Sequence, residues 1–184
     1  MMPNAAVMKK KYTYDDYLKT PDDERYELIE GELLMTPSPN TEHQRISRKL
    51  GFMMVKFVEE NNLGEVFDAP YDIHLDEENV FEPDILFVSK ERLDIIGEKN
   101  IQGTPDLVVE IVSESNAYRD TIQKKMLYAR FGVKEYWIVA PGEKLIEVYH
   151  LDKQVYRLDK TYLYADTLES QVLKGFKVEL RDIF

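Results

Sequence analysis

The run Leu107-Val108-Val109-Glu110-Ile111-Val112 is nearly continuously apolar, yet it holds one carboxylate. Such a run fits a strand covered on both faces, the kind that occupies the middle of an α/β sheet. Side chains alternate along a strand, so Glu110 shares a face with Val108 and Val112. An ionised group buried without partners is costly. Either a metal ion or an ion pair with a lysine would satisfy it. The segment therefore demands a sheet with both faces covered and a polar partner brought in from elsewhere in the chain.

The residues before it offer a second carboxylate. Phe81 to Val88 reads as a strand, with Pro83 placed near its start. Asp84 follows directly, where a strand often opens at a sheet's edge. Two carboxylates on neighbouring strands can hold Mg²⁺ or Mn²⁺, which keep several waters. A metal-bound water is more acidic and can attack phosphorus, while the metal and a lysine offset the growing charge. The sequence thus predicts that Asp84, Glu110 and Lys124 meet as a metal-dependent phosphodiesterase site. Bland readings stand beside it. An aspartate after proline is common at strand starts. Asp106 is a rival that also follows a proline, ranked lower because one strand face rarely provides a whole site. Lys124 lies four residues after Asp120 and could form only a surface pair worth a few tenths of a kcal/mol.

Composition narrows the chemistry. The chain has 184 residues, 43% hydrophobic and 32% charged, which suits one globular domain over 12–184 after a loose tail over 1–11. Cysteine is absent, which excludes disulfides and thiolate metal sites and fits a cytoplasmic protein. Three scattered histidines argue against a histidine-rich zinc site. No apolar run approaches the roughly 18 residues of a membrane span, and the first lysines are not followed by a signal-peptide core. The net charge of −11 is adverse for binding nucleic acid, so local distribution matters more. One basic stretch holds Arg45, Arg48, Lys49 and Lys56. Another holds Arg119, Lys124, Lys125, Arg130 and Lys134.

Along the chain, Thr13 is placed to cap a short acidic helix. Two apolar runs flank Glu30-Gly31, which reads as a tight hairpin turn. Asn40 or Thr41 can cap a helix over about 42–61, with Ile46, Leu50, Met53, Met54, Phe57 and Val58 as its core stripe. Residues 65–75 read as one bent strand or a hairpin through Ala69-Pro70. A polar connector over 89–104 leads into the buried strand. Residues 118–131 form a second helix, with Tyr118, Ile122, Met126 and Ala129 on one side and Gly132 as C-cap. A strand over 135–140, a hairpin across Leu151-Asp152-Lys153 and a strand near 176–180 complete the chain. Two helices cannot cover a large doubly wound sheet, so the pattern predicts a mixed sheet with helices on its faces and β-rich additions.

Several separate motifs, in order, resemble the Uma-type putative restriction endonuclease family of the PD-(D/E)xK nuclease superfamily. They are the early YELIEGEL with His43-Gln44, Glu82-Pro83-Asp84, Pro105 to Ser113, Asp120 to Lys124, Tyr128-Ala129-Arg130, Gly132-Val133 and Glu135-Tyr136-Trp137. The resemblance spans residues 12–184. It implies an α/β, restriction-endonuclease-like fold: a mixed central β-sheet flanked by helices, with an N-terminal β-hairpin and β-rich additions. It places the superfamily aspartate at Asp84 and the acidic (D/E) at Glu110. Two residues on stands Val112 where lysine is usual, and the lysine is carried over to Lys124 on the following helix, with Lys125 as the near alternative. Glu32 matches a glutamate of the family's hairpin and would support the metal shell. His43 and Gln44 match as well. Ser113-Glu114-Ser115 and Ala140 depart from the family pattern without removing a proposed ligand.

The expected function is an Mg²⁺- or Mn²⁺-dependent endonuclease acting on DNA. Asp84 and Glu110 would be ligands, Lys124 would stabilise charge and position water, and Glu32 would assist. His43, Gln44, Arg45, Arg48, Lys125 and Arg119 are candidate DNA contacts, and a homodimer would reach both strands. A non-catalytic nuclease-fold module that binds nucleic acid or a protein is the alternative. A third is a metal-dependent hydrolase of a small phosphorylated substrate.

Overall fold

The computed structural model describes residues 10–21, 23–113 and 119–184, the last stretch without the side chains of Arg119 and Asp120. A short helix, α1 (Tyr14–Tyr17), leads into the hairpin of β1 (Tyr26–Ile29) and β2 (Glu32–Met35). Its turn residues Glu30 and Gly31 have φ of 50° and 81°. Positive φ at both central positions is what a tight twisted hairpin requires, and glycine meets it without steric cost.

Helix α2 (Thr41–Glu60) follows, with the His43 N–H donating to the Asn40 side chain at 2.9 Å as its cap. The chain then makes β3 (Gly64–Asp68), β4 (Asp72–Asp76), β5 (Asn79–Phe81) and β6 (Ile85–Ser89). A 3-10 segment (Lys90–Ile95) and β7 (Asn100–Gln102) precede the buried strand β8 (Leu107–Ile111). After it come a π-helical turn (Arg119–Lys124), α3 (Lys125–Phe131) and β9 (Glu135–Ala140). The chain ends in β10 (Leu145–Asp152), β11 (Val155–Leu163), β12 (Thr167–Glu169), β13 (Lys177–Glu179) and α4 (Leu180–Ile183).

The central sheet has the order β11-β10-β9-β8-β6-β3, and β8 and β9 are its parallel pair. A second sheet, β2-β1-β5-β4-β7, carries the N-terminal hairpin, and β12 pairs with β13 alone. Alternation on the central strands splits the core in two. Ile85, Phe87, Leu107, Val109, Ile111, Trp137 and Val139 pack with α2 and the C-terminal β12–α4 segment. Leu86, Val88, Val108, Tyr136 and Ile138 pack with α3 and the second sheet. The mixed sheet with flanking helices and β-rich additions is the predicted architecture.

Three local expectations change. Residues 81–88 are not one strand: β5 belongs to the second sheet and β6 to the central one. Pro83 has no N–H for a ladder, and the Glu82 N–H donates to the Glu27 carboxylate at 3.0 Å instead. Residues 65–75 likewise divide between the two sheets as β3 and β4. On the second helix, Ile122 and Met126 are exposed, while Lys124, Leu127, Tyr128 and Ala129 are buried. A π turn winds more than 3.6 residues per turn and rotates the face that follows it. Tyr118 lies outside the described residues.

Candidate active site

A cleft of about 1190 Å³ opens between the hairpin, the start of α2, the β5–β6 link and the end of β8. Glu110, Lys124 and Glu27 stand on one wall and are nearly fully buried. Lys124 Nζ lies 2.7 Å from Glu27 Oε1 and 2.9 Å from Glu110 Oε1. The Tyr128 hydroxyl donates to the same Glu110 oxygen at 2.9 Å. Burial, then the Glu110 charge, pushes that hydroxyl far above the usual tyrosine value, so it remains a donor. Glu110 is thus accommodated in its apolar strand by an ammonium and a phenol one helical turn apart.

Asp84 occupies the link between the sheets. The register that pairs Ile85 with Val109 puts it abreast of Glu110. Its Oδ2 accepts from the Ile111 N–H at 2.7 Å, and its Oδ1 lies 3.2 Å from His43 Nε2. Burial opposes a charged His43 ring, but the bonded Asp84 carboxylate outweighs it and holds the imidazole above its ordinary value. Asp68 also lines the cleft, and burial raises its carboxyl. Arg25 pairs with Glu82 at the rim.

The structure brings Asp84, Glu110 and Lys124 into one cleft. It does not bring Glu32 there: that residue opens β2 opposite Ile29 and is exposed. The hairpin's contribution is Glu27, which local pattern did not single out although it too is a carboxylate within an apolar run. Lys125 turns away, its ammonium 4.3 Å from the centre of the Tyr149 ring. His43, Gln44 and Arg48 line the cleft, while Arg45 is exposed outside its lining. The side chain of Arg119 lies outside the described residues.

Asp106 sits at the other end of β8 and does not line the cleft. It accepts from the Ser89 N–H at 2.8 Å, Lys134 at 2.6 Å and Arg92 at 3.2 Å. Burial opposes its charge, but Lys134 and the Ser89 N–H prevail and hold the carboxyl below the usual range. These bonds give Asp106 a structural task.

Among the described residues, seven carboxylates line the cleft, Glu27, Glu42, Asp68, Glu82, Asp84, Glu110 and Glu143, against three guanidinium or ammonium groups, Arg25, Arg48 and Lys124. Such a surface alone repels a polyanion.

A family described as "Putative restriction endonuclease" (Uma2) matches residues 13–181. The crystal structure of a protein from Anabaena variabilis, described as a putative nuclease belonging to DUF820, superposes with a TM-score of 0.77 at 20% identity. The match covers 94% of this chain and 97% of that one, and at this identity it is a likeness of fold. No curated protein matches the chain. Among the described residues, no helix is long and apolar enough to cross a membrane.

Proposed function

The chain belongs to the Uma2 family of restriction-endonuclease-like proteins, and on that premise we propose that it is a divalent-metal-dependent endonuclease that hydrolyses phosphodiester bonds of DNA. One geometric fact carries most weight. A buried lysine stands between two buried carboxylates, Glu27 and Glu110, in the cleft that also holds Asp84. One counter-charge suffices to bury Glu110; a second buried carboxylate on the same lysine, with Asp84 in the same cleft, exceeds that need and supplies groups that phosphoryl transfer uses.

Among the described residues no three histidine or acidic side chains are grouped closely enough to hold a metal ion, so a metal here would be one that takes few protein ligands and keeps several waters, as Mg²⁺ or Mn²⁺ does. The acidic groups offer carboxylate oxygens, and the chain has no thiolate. Asp84 and Glu110 would hold the ion, with Glu27 beside them. Once bound, it would supply charge to offset the phosphate and acidify the attacking water, and it would lessen the repulsion of the acidic cleft.

The chain's own groups do the rest. The Ile111 N–H and His43 aim Asp84. Tyr128 and Lys124 fix the carboxylate of Glu110. On this reading the Lys124 ammonium, besides its bonds to Glu27 and Glu110, holds a water and stabilises negative charge on a nonbridging phosphate oxygen. Cutting both strands of a duplex takes two such clefts, so we expect a two-fold homodimer.

The test is incubation of plasmid and short duplexes with Mg²⁺ or Mn²⁺, beside an Asp84→Ala, Glu110→Ala variant. Wild type should cleave and the variant should not. Equal cleavage by both would mark a contaminant and overturn the proposal. Band shifts without cleavage would favour a binding module. Mn²⁺ should also raise the wild-type melting temperature and leave that of the variant unchanged.

A further inference from the structure

Helix α2 sends Ile46, Leu50, Met54 and Val58 into the core. Its outer face should be polar throughout, yet Phe52 stands there with 67% of its surface exposed. The same helix shows what an ordinarily packed ring looks like. Phe57 lies partly buried, edge-on to Phe176 with centroids 5.4 Å apart. Core packing therefore gives no account of Phe52.

Its neighbours on that face are cations. At 3.6 residues per turn, Arg45, Arg48, Phe52 and Lys56 fall on one stripe about 80° wide and about 16 Å long. All four are exposed. Arg48, one turn before Phe52, also lines the cleft that holds Asp84 and Glu110. Lys49 is turned aside and donates to the Ile183 carbonyl at 3.0 Å. Lys56 has only a long contact of 4.0 Å to Glu60 at the surface, which leaves its charge available. From Arg45 to Lys56 the stripe is thus a positive lane with one aromatic platform, bounded beyond Lys56 by the exposed acids Glu59 and Glu60 and leading at its other end into an acidic cleft on a chain whose net charge is −11.

We propose that this face of α2 receives a single nucleic-acid strand, with Phe52 stacking on one unpaired base while Arg45, Arg48 and Lys56 contact the backbone on either side. A positive track with an interleaved ring suits single strands, because every base has a face to stack on. In a closed duplex those faces are taken by neighbouring bases, and Phe52 has nothing to stack against. The assignment rests on the nuclease reading above and refines its substrate to a strand that is unpaired beside the cut.

The test is fluorescence anisotropy on the full chain in EDTA, which prevents cleavage. The probes are labelled oligothymidine, oligouridine and a blunt hairpin duplex of equal length. The wild type should bind at least one single strand more tightly than the duplex, and the oligothymidine and oligouridine arms separate DNA from RNA. Phe52→Ala should weaken single-strand binding by about 5- to 150-fold, the worth of one stacked base, and leave duplex binding within about twofold. Phe52→Trp should restore it, with tryptophan emission quenched on adding the strand. Neutralising Arg45, Arg48 or Lys56 with glutamine should each reduce the slope of log affinity against log salt by about 0.7.

Unchanged single-strand binding by Phe52→Ala, with duplex bound as before, overturns this assignment and leaves the nuclease reading standing. Conversion of a dimer to a monomer by Phe52→Ala assigns the ring to a contact between copies and also overturns it. Wild type that binds neither strand nor duplex, and cuts neither when Mn²⁺ is restored, removes both.

Discussion

Asp84 Oδ2 accepts the backbone N–H of Ile111 at 2.7 Å, so the aspartate is anchored to the peptide that follows Glu110. Strand pairing, more than side-chain freedom, sets how the two carboxylates stand. Replacing Asp84 separates anchoring from charge. Asparagine keeps an acceptor for the Ile111 N–H, while alanine leaves that buried donor unmet at a cost of about 1–3 kcal/mol. Loss of an outer-shell partner alone costs a metal site about 10- to 100-fold, and we expect both variants to lose cleavage by no less than that. Scanning calorimetry should show a clear fall in melting temperature for Asp84→Ala and a small one for Asp84→Asn.

Lys124 is the shared counter-charge of two carboxylates that are 2% and 5% exposed. Lys124→Met leaves them facing each other in low dielectric. Removing one partner of a buried ionic group costs about 3–5 kcal/mol, and we expect that loss in urea unfolding. Adding Glu27→Gln and Glu110→Gln removes the stranded charges and should recover part of it, as a coupling that additive changes would not show. Cleavage should stay absent in both. Equal stability of wild type and Lys124→Met would mean the lysine is no structural counter-charge.

How much of this was legible differs from residue to residue. Glu110 announced itself because five apolar neighbours made its charge anomalous by a local rule. The Glu30-Gly31 turn and the Asn40 cap are equally local. Glu27 was obscured because YELIEGEL places glutamates at 27, 30 and 32, and nothing nearby says which one turns inward. The answer lies in β5 and the link after it, where Val80 pairs with Leu28 and the Glu82 N–H reaches Glu27. The inward face of α3 was likewise set at a distance. A standard helical period favours Ile122 and Met126, but the π turn rotates the face and the partners of Lys124 are residues of β1 and β8.

Asp106 gives a pH dependence that is separate from the cleft. Its carboxyl is held below its ordinary value of 3.8 when folded. The stabilisation is therefore present above that value and is lost as pH falls through the lower, folded one. We expect Asp106→Asn to be less stable than wild type at neutral pH. The gap in melting temperature should close as acid is added below about pH 4. A gap that stays constant to strong acid would refute the assignment.

Gly64 fixes the edge of the sheet that carries Asp84. It opens β3 at φ +146°, and a Cβ there would lie 2.1 Å from the Val88 carbonyl oxygen. That atom is backbone in β6, so it cannot swing aside as a flexible side chain would. Gly64→Ala must push β3 away from β6, breaking the Gly64–Ser89 pairing at the strand's start. Overpacking with backbone movement costs about 1–3 kcal/mol, and the left-handed φ adds strain for any residue with a Cβ. Gly142 is the internal control, since a Cβ there meets nothing within 4 Å. Thermal melts should show Gly64→Ala several degrees below wild type and Gly142→Ala beside it. If the two variants melt together, β3 and β6 are not in the close contact described, and the edge that positions Asp84 is looser than its hydrogen bonds imply.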